Sequence, residues 1–204
     1  MQGAEPLLQP VEIATLRPTQ MTVGYREVSL KRAEWRKRQE RSGEEFLGRH
    51  MVPAVLGPKQ RHYLIDNHHL VRALHEEHVE HVLVRLVADL SMLSKSIFWT
   101  FMDNRNWLHP FDADGQRCPI NRIPKAIDAL VDDPYRSLAG ELRRAGGYGK
   151  DPTPYSEFLW ADFLRRRIES KEIQRDFQKS VAEALDLAHG PAASYLPGWC
   201  GPTN

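Results

Sequence analysis

The chain has 204 residues with 28 Lys+Arg against 27 Asp+Glu, a net charge of +1, 41% hydrophobic and 27% charged residues. That balance describes an ordinary globular protein and excludes the global basic field on which nonspecific nucleic-acid binding relies. Two cysteines, Cys118 and Cys200, are too few for a disulfide scaffold or a zinc ribbon, no apolar run approaches the roughly 20 residues that span a bilayer, and no signal-peptide pattern opens the chain.

In chain order, Met1 to Gln9 read as a loose tail, and "VEIATLRP" alternates Val11, Ile13 and Thr15 as a strand ended by Pro18. "TQMTVGYREV" reads as a polar loop containing Gly24. Val28 to Gln39 has the spacing of an amphipathic helix dense in Lys and Arg, and "SGEEFLGRH" reads as a short second helix. "MVPAVLG" and "RHYLID" are apolar runs joined by Gly57-Pro58-Lys59-Gln60, the composition of a hairpin turn.

Asp66 or Asn67 then caps a helix whose buried stripe is Leu70, Ala73 and Leu74, and "HVLVRLVADL" is a further Val-rich strand. Beyond Ser91 the segments "KSIFWTFMDNRNW", "KAIDALVDD", "YRSLAGELRRAG", "PYSEFLWADFLRRRI" and "KEIQRDFQKSVAEALDLA" all read as helix. The expected class is α+β (α/β-like): a small mixed sheet over residues 1–90 and a helical extension over 91–204, packed on it as one compact unit.

The stretch that carries chemistry is "YLIDNHHLVRAL". A strand delivers Asp66-Asn67-His68-His69 into a helix N-terminus, where backbone N–H groups lack intrahelical partners and the helix dipole is positive. Phosphates settle at such ends, and histidine supplies an acid or base near neutral pH. Asp66 caps the helix, orients an imidazole or binds a divalent cation carrying a phosphate. The plain alternative is a cap followed by two solvated histidines. His75, His78 and His81 extend the cluster without a zinc spacing and read as a charged helix face. Lys31, Arg32, Arg36, Lys37 and Arg38 form a basic run, interleaved with Glu27, Glu34 and Glu40, which reads as solvated helix. In "RRAGGYGKD", Gly146, Gly147 and Gly149 precede Lys150, a flexible turn with an amine able to reach a phosphate but without P-loop spacing. Cys118 reads as structural.

"YLIDNHHLVRAL" resembles the signature of the ParB/sulfiredoxin superfamily. With "LRPTQMTVGYREV", "HMVPAVLG" and "GGYGKDPTPYSEFLWADFLR", residues 10–170 resemble its ParB-like nuclease group. The resemblance implies a mixed sheet of ParB/sulfiredoxin type and a phosphate-binding turn at Asn67, His68 and His69. It sets Thr19, Gln20 and Gly24 in a loop beside that turn, and aligns Arg72 with a later motif arginine. Leu70 replaces a common arginine, and His68 stands where sulfiredoxins have their catalytic cysteine, so sulfinic-acid reduction is not expected. The implied function is binding of a nucleotide or phosphorylated small molecule at Asp66–Leu70, with Mg2+ held in part by Asp66. Hydrolysis or transfer at phosphorus would use His68, His69 and Asp66, with Lys150 as a further phosphate ligand. The alternatives are a DNA-associated ParB-type accessory protein, which the net charge does not support, and a non-catalytic interaction protein with a vestigial site. The expected setting is cytoplasmic, with no membrane.

Overall fold

A computed structural model describes residues 8–202, so most of the tail expected at Met1 to Gln9 lies outside the described residues. The chain divides into two compact units. The first takes the described residues to Val23, Val28–Asp112 and Gln116–Val131, and the second takes Gly24–Glu27, Ala113–Gly115 and the chain from Asp132 on. Residues 91–112 and 116–131 therefore group with the sheet, whereas the sequence reading sets the boundary near residue 90.

The first unit is built on β1 (Leu8–Glu12), β2 (Thr22–Val23), α1 (Tyr25–Arg49, whose first residues group with the other unit), β3 (Val52–Gly57), β4 (Arg61–Leu64), α2 (His68–Glu76), β5 (His81–Asp89) and α3 (Lys95–Asn104). Four strands form one sheet in the order β1-β5-β3-β4. β3 runs parallel to β5 (Val52 opposite Val84), and the two outer pairings are antiparallel, with Val11 opposite Val82 and Val55 opposite Tyr63. The mixed sheet of the expected α+β class is thus present. Its parallel step has a simple cause: β4 and α2 intervene between β3 and β5, long enough to return the chain to the same end.

α2 lays Leu70, Val71, Ala73 and Leu74 onto a core with Leu16, Val52, Ala54, Leu64 and Val84, all buried. Each large apolar side chain in that layer contributes about 1.5–3 kcal/mol by burial. A second cluster collects Met21, Val55, Phe98, Met102, Leu108, Cys118 and Ile123. There Gly57 is required by packing: a Cβ on it would stand 2.6 Å from the Tyr63 ring and 2.8 Å from Phe98. Cys118 is buried, and desolvation, with the nearby Asp112 carboxylate, pushes its thiol above the usual range, consistent with a structural role.

In this unit two expected helical segments differ. The two helices read from Val28 to Gln39 and from "SGEEFLGRH" are one 25-residue helix, α1, which also takes in the end of the expected Gly24 loop. Val28, Trp35 and Phe46 are spaced 7 and 11 apart, one buried stripe, and the Trp35 and Phe46 rings meet edge-on at 5.5 Å. An interior glycine costs only about 1 kcal/mol, so Gly43 does not break a helix held by that stripe. "KAIDALVDD" is not a helix but a single 3-10 turn, Ile127–Ala129, followed by the two-residue strand β6 (Val131–Asp132). The Arg72 guanidinium takes the carbonyls of Ile127, Asp128 and Leu130, which a helix would have used internally.

The basic run on α1 is paired within this unit. Arg32 reaches Glu76 and Glu77, Arg36 bonds Glu77 at 2.6 Å, and Lys31 and Arg38 meet Glu34. The Arg36 hydrogen bond holds the Glu77 carboxyl below its ordinary value, with Arg32 adding to it. The run therefore ties α1 to α2 in large part.

The second unit contains α4 (Pro134–Arg144), α5 (Ser156–Arg165), α6 (Ser170–Arg175) and α7 (Phe177–His189) around Leu138, Leu142, Trp160, Phe163, Leu164 and Ala184. "KEIQRDFQKSVAEALDLA" is two helices because Asp176 leaves helical geometry and accepts the Lys179 N–H at 3.0 Å, an N-cap in mid-sequence. Asp133 caps α4 through the Tyr135 N–H and pairs with Arg165 at 2.5 Å; burial pushes its carboxyl up while Arg165 and Arg136 pull it back. Among the described residues no helix is long and apolar enough to cross a membrane.

Candidate functional site

β4 ends at Leu64, and the chain turns through Ile65, Asp66 and Asn67 into α2. Asn67 takes the left-handed conformation, φ 64° and ψ 25°, which asparagine tolerates better than most residues. Asp66 is exposed, and its Oδ1 accepts the Asn67 N–H at 2.7 Å. The Asn67 carbonyl accepts the Val71 N–H at 3.0 Å, the first bond of the helix, and the Asn67 side chain does not cap α2. The N–H groups of a first helical turn have no intrahelical acceptors, which is the geometry an anion site uses.

His68 and His69 have different surroundings. His68 is 4% exposed, and its Nε2 accepts the backbone N–H of Thr19 at 3.2 Å. With Nε2 accepting, the ring proton sits on Nδ1. Thr19, 1% exposed, donates its hydroxyl to the Leu64 carbonyl at 2.6 Å, and its own carbonyl accepts the His109 N–H. The Thr19 loop is thus fixed to the end of β4 and the start of α2 by its backbone and its side chain together. His69 is half-buried at the same turn.

The other sequence-derived candidates separate into those at the turn and those with different work. Thr19 lies beside His68 as expected, yet its polar groups are engaged in holding the loop, and Gln20, also buried, donates to the Thr22 carbonyl at 2.8 Å. Leu70 is a core side chain at 4% exposure, so only its backbone N–H faces the helix end. Arg72 points back into the unit: besides the three carbonyls it bonds Glu76 at 2.7 Å. Its guanidinium is thus engaged by three carbonyls and a carboxylate of the same unit.

Gly24 and Lys150 belong to the second unit. A Cβ at Gly24 would stand 2.6 Å from the Ser137 hydroxyl, so close approach to α4 accounts for that glycine. Gly146, at φ +89°, and Gly147 end α4 through N–H bonds to Arg143 and Leu142, a Schellman stop. Lys150 is exposed beyond it. Among the described residues no group of three or more His, Cys, Asp or Glu side chains is arranged to hold a metal ion, the His75, His78 and His81 set included.

Sequence reasoning missed one feature of the first unit. A cleft of about 750 Å³ is walled by Arg17, Arg61, Tyr63, Lys95, Trp99 and Lys125. Arg17 and Pro18 stand next in sequence to Thr19, and Arg17 pairs by backbone with both His62 and Leu64. The only signal was the paired basic and aromatic character of "RHY" and "KSIFW", which no fixed spacing announces.

The family described as "Putative ParB-like nuclease" matches residues 9–166. The crystal structure of protein Atu1540 from Agrobacterium tumefaciens is similar to this chain, with 55% sequence identity, 98% of this chain and 99% of that one covered, and a TM-score of 0.92. Comparison with curated proteins finds no match.

Proposed function

Because the chain belongs to the ParB-like nuclease family, we propose that it binds a phosphate ester at the first turn of α2 and cleaves it by hydrolysis. The observation that carries this reading is the construction of the turn. A buried histidine locks the Thr19 loop against a helix start that the Asn67 side chain does not cap. In this reading the N–H groups around Asn67 to Leu70 hold phosphate oxygens. His69 moves the proton. His68 positions the loop and does not take part in proton transfer.

A divalent cation fits only in a restricted way. Asp66 is the single carboxylate in the Asp66–Leu70 turn, with one oxygen already accepting a backbone N–H. Such a donor suits Mg2+ that arrives on a nucleotide and keeps most of its waters. When bound, the ion would neutralise charge on the phosphates.

His69→Ala is the direct test. Removing a half-buried side chain should leave the thermal midpoint nearly unchanged. Binding of a nucleoside triphosphate with Mg2+, measured by calorimetry, should weaken about tenfold, and phosphate-ester hydrolysis should fall by about 10²-fold or more. Unchanged binding and turnover in this variant would remove His69 from the site.

A further inference from the structure

The cleft in the first unit has a chemistry that its neighbours do not neutralise. It gathers cations from four separate stretches of chain: Arg17 after β1, Arg61 on β4, Lys95 at the start of α3, and Lys125 before the 3-10 turn. Arg61, Lys95 and Lys125 are exposed, and among the described residues none of them forms an ion pair. The single carboxylate on the wall, Asp103, is held by Arg117 through both oxygens at 2.8 and 2.7 Å. Arg17 is fixed by donation from Nη1 to the Lys125 carbonyl, and its buried Nε has no hydrogen-bond partner among the described residues.

Between these cations lie two aromatic rings. Tyr63 and Trp99 meet edge-on at 5.3 Å, and both pack on Phe98, so their orientation is set by the apolar cluster beneath. A rigid aromatic wall beside several unpaired cations binds a flat ring and an attached phosphate together, by stacking and by charge. A volume of about 750 Å³ lies within the range of small-molecule sites and exceeds the needs of an inorganic anion.

We propose that this cleft is a nucleotide-unit site, with the base stacked on Trp99 and Tyr63 and the phosphate held by Lys95, Lys125 and the two arginines. It rests on the reading of the chain as a phosphate-ester protein but uses residues other than those of the α2 turn. The nucleotide unit has two sources, a free nucleotide or an unpaired nucleotide within a strand.

The test uses a fluorescent oligodeoxythymidylate and a nucleoside monophosphate as probes, with Lys95→Ala/Lys125→Ala and Trp99→Leu as variants. Replacing the lysine pair, both exposed, should weaken binding roughly tenfold at low salt and flatten the salt dependence of oligonucleotide binding. Trp99→Leu should weaken it by roughly tenfold or more. An oligonucleotide bound far more tightly than the monophosphate identifies a strand as the source; equal affinities identify a free nucleotide. Failure of both probes to bind, or binding indifferent to the lysine pair in a variant with unchanged thermal midpoint, overturns the proposal. His69→Ala separates the two readings. Lost turnover with retained probe affinity supports both, whereas lost probe affinity in His69→Ala with full affinity in the cleft variants overturns the cleft and leaves the turn standing.

Discussion

Arg72→Ala is expected to lower the unfolding free energy by about 3 kcal/mol. The side chain is 13% exposed and donates to three carbonyls, those of Ile127, Asp128 and Leu130, while its Nε bonds Glu76. Removing it strips one charged donor from three backbone carbonyls and a carboxylate at once. Arg72→Lys should recover only part of the loss, because one ammonium does not reproduce the fan of a guanidinium. Urea titration reads the effect as a lower midpoint with an unchanged slope. The same variant decides the residue's role. A phosphate ligand would show a large binding defect with little change in stability; the structure predicts the reverse.

The second large effect is expected at His68. Truncation to alanine leaves the Thr19 N–H without its acceptor at a residue 1% exposed, and opens a cavity the size of an imidazole. About 2–3 kcal/mol should be lost. Hydrogen exchange should report the loss locally, with the Thr19 amide losing protection well before those of β3 and β5. Phosphate-ester binding should fall together with stability. His69→Ala should separate the two, and that contrast distinguishes a histidine that builds the site from one that acts in it. A Thr19 amide equally protected in His68→Ala would show that the ring does not hold the loop.

Much of this site was legible in the chain. "YLIDNHHL" announces a strand, a turn and a helix start, and asparagine at the left-handed position is what that turn admits. The partnership of His68 with Thr19 was legible only as proximity of loop and turn, because a bond between residues 49 apart leaves no local pattern. The different burial of the two adjacent histidines was not legible either. Which of two neighbours faces the core depends on how α2 is rotated onto the sheet, and that is set by Leu70, Val71 and Leu74 together.

The fold shows the same limit. The mixed sheet and most helices follow from periodicity, but long-range contacts decide the exceptions. The glycine at 43 is overruled by the Trp35–Phe46 stripe, and "KAIDALVDD" gives its carbonyls to an arginine more than fifty residues earlier. The cleft is the extreme case. Its cations and rings come from positions 17, 61–63, 95–99 and 125, and the pairing of Arg17 with the β4 backbone, its bond to the Lys125 carbonyl and the packing of α3 bring them together.

Backbone amide shifts recorded while a nucleoside triphosphate with Mg2+ is titrated into the protein test the central claim most directly. The α2 turn as a phosphate site predicts saturable shifts at the His69 and Leu70 amides, and in His69→Ala the shifts at position 69 and Leu70 should saturate only at about tenfold higher ligand. Saturable binding that moves the Trp99 indole while the amides from Asn67 to Leu70 stay still would contradict it.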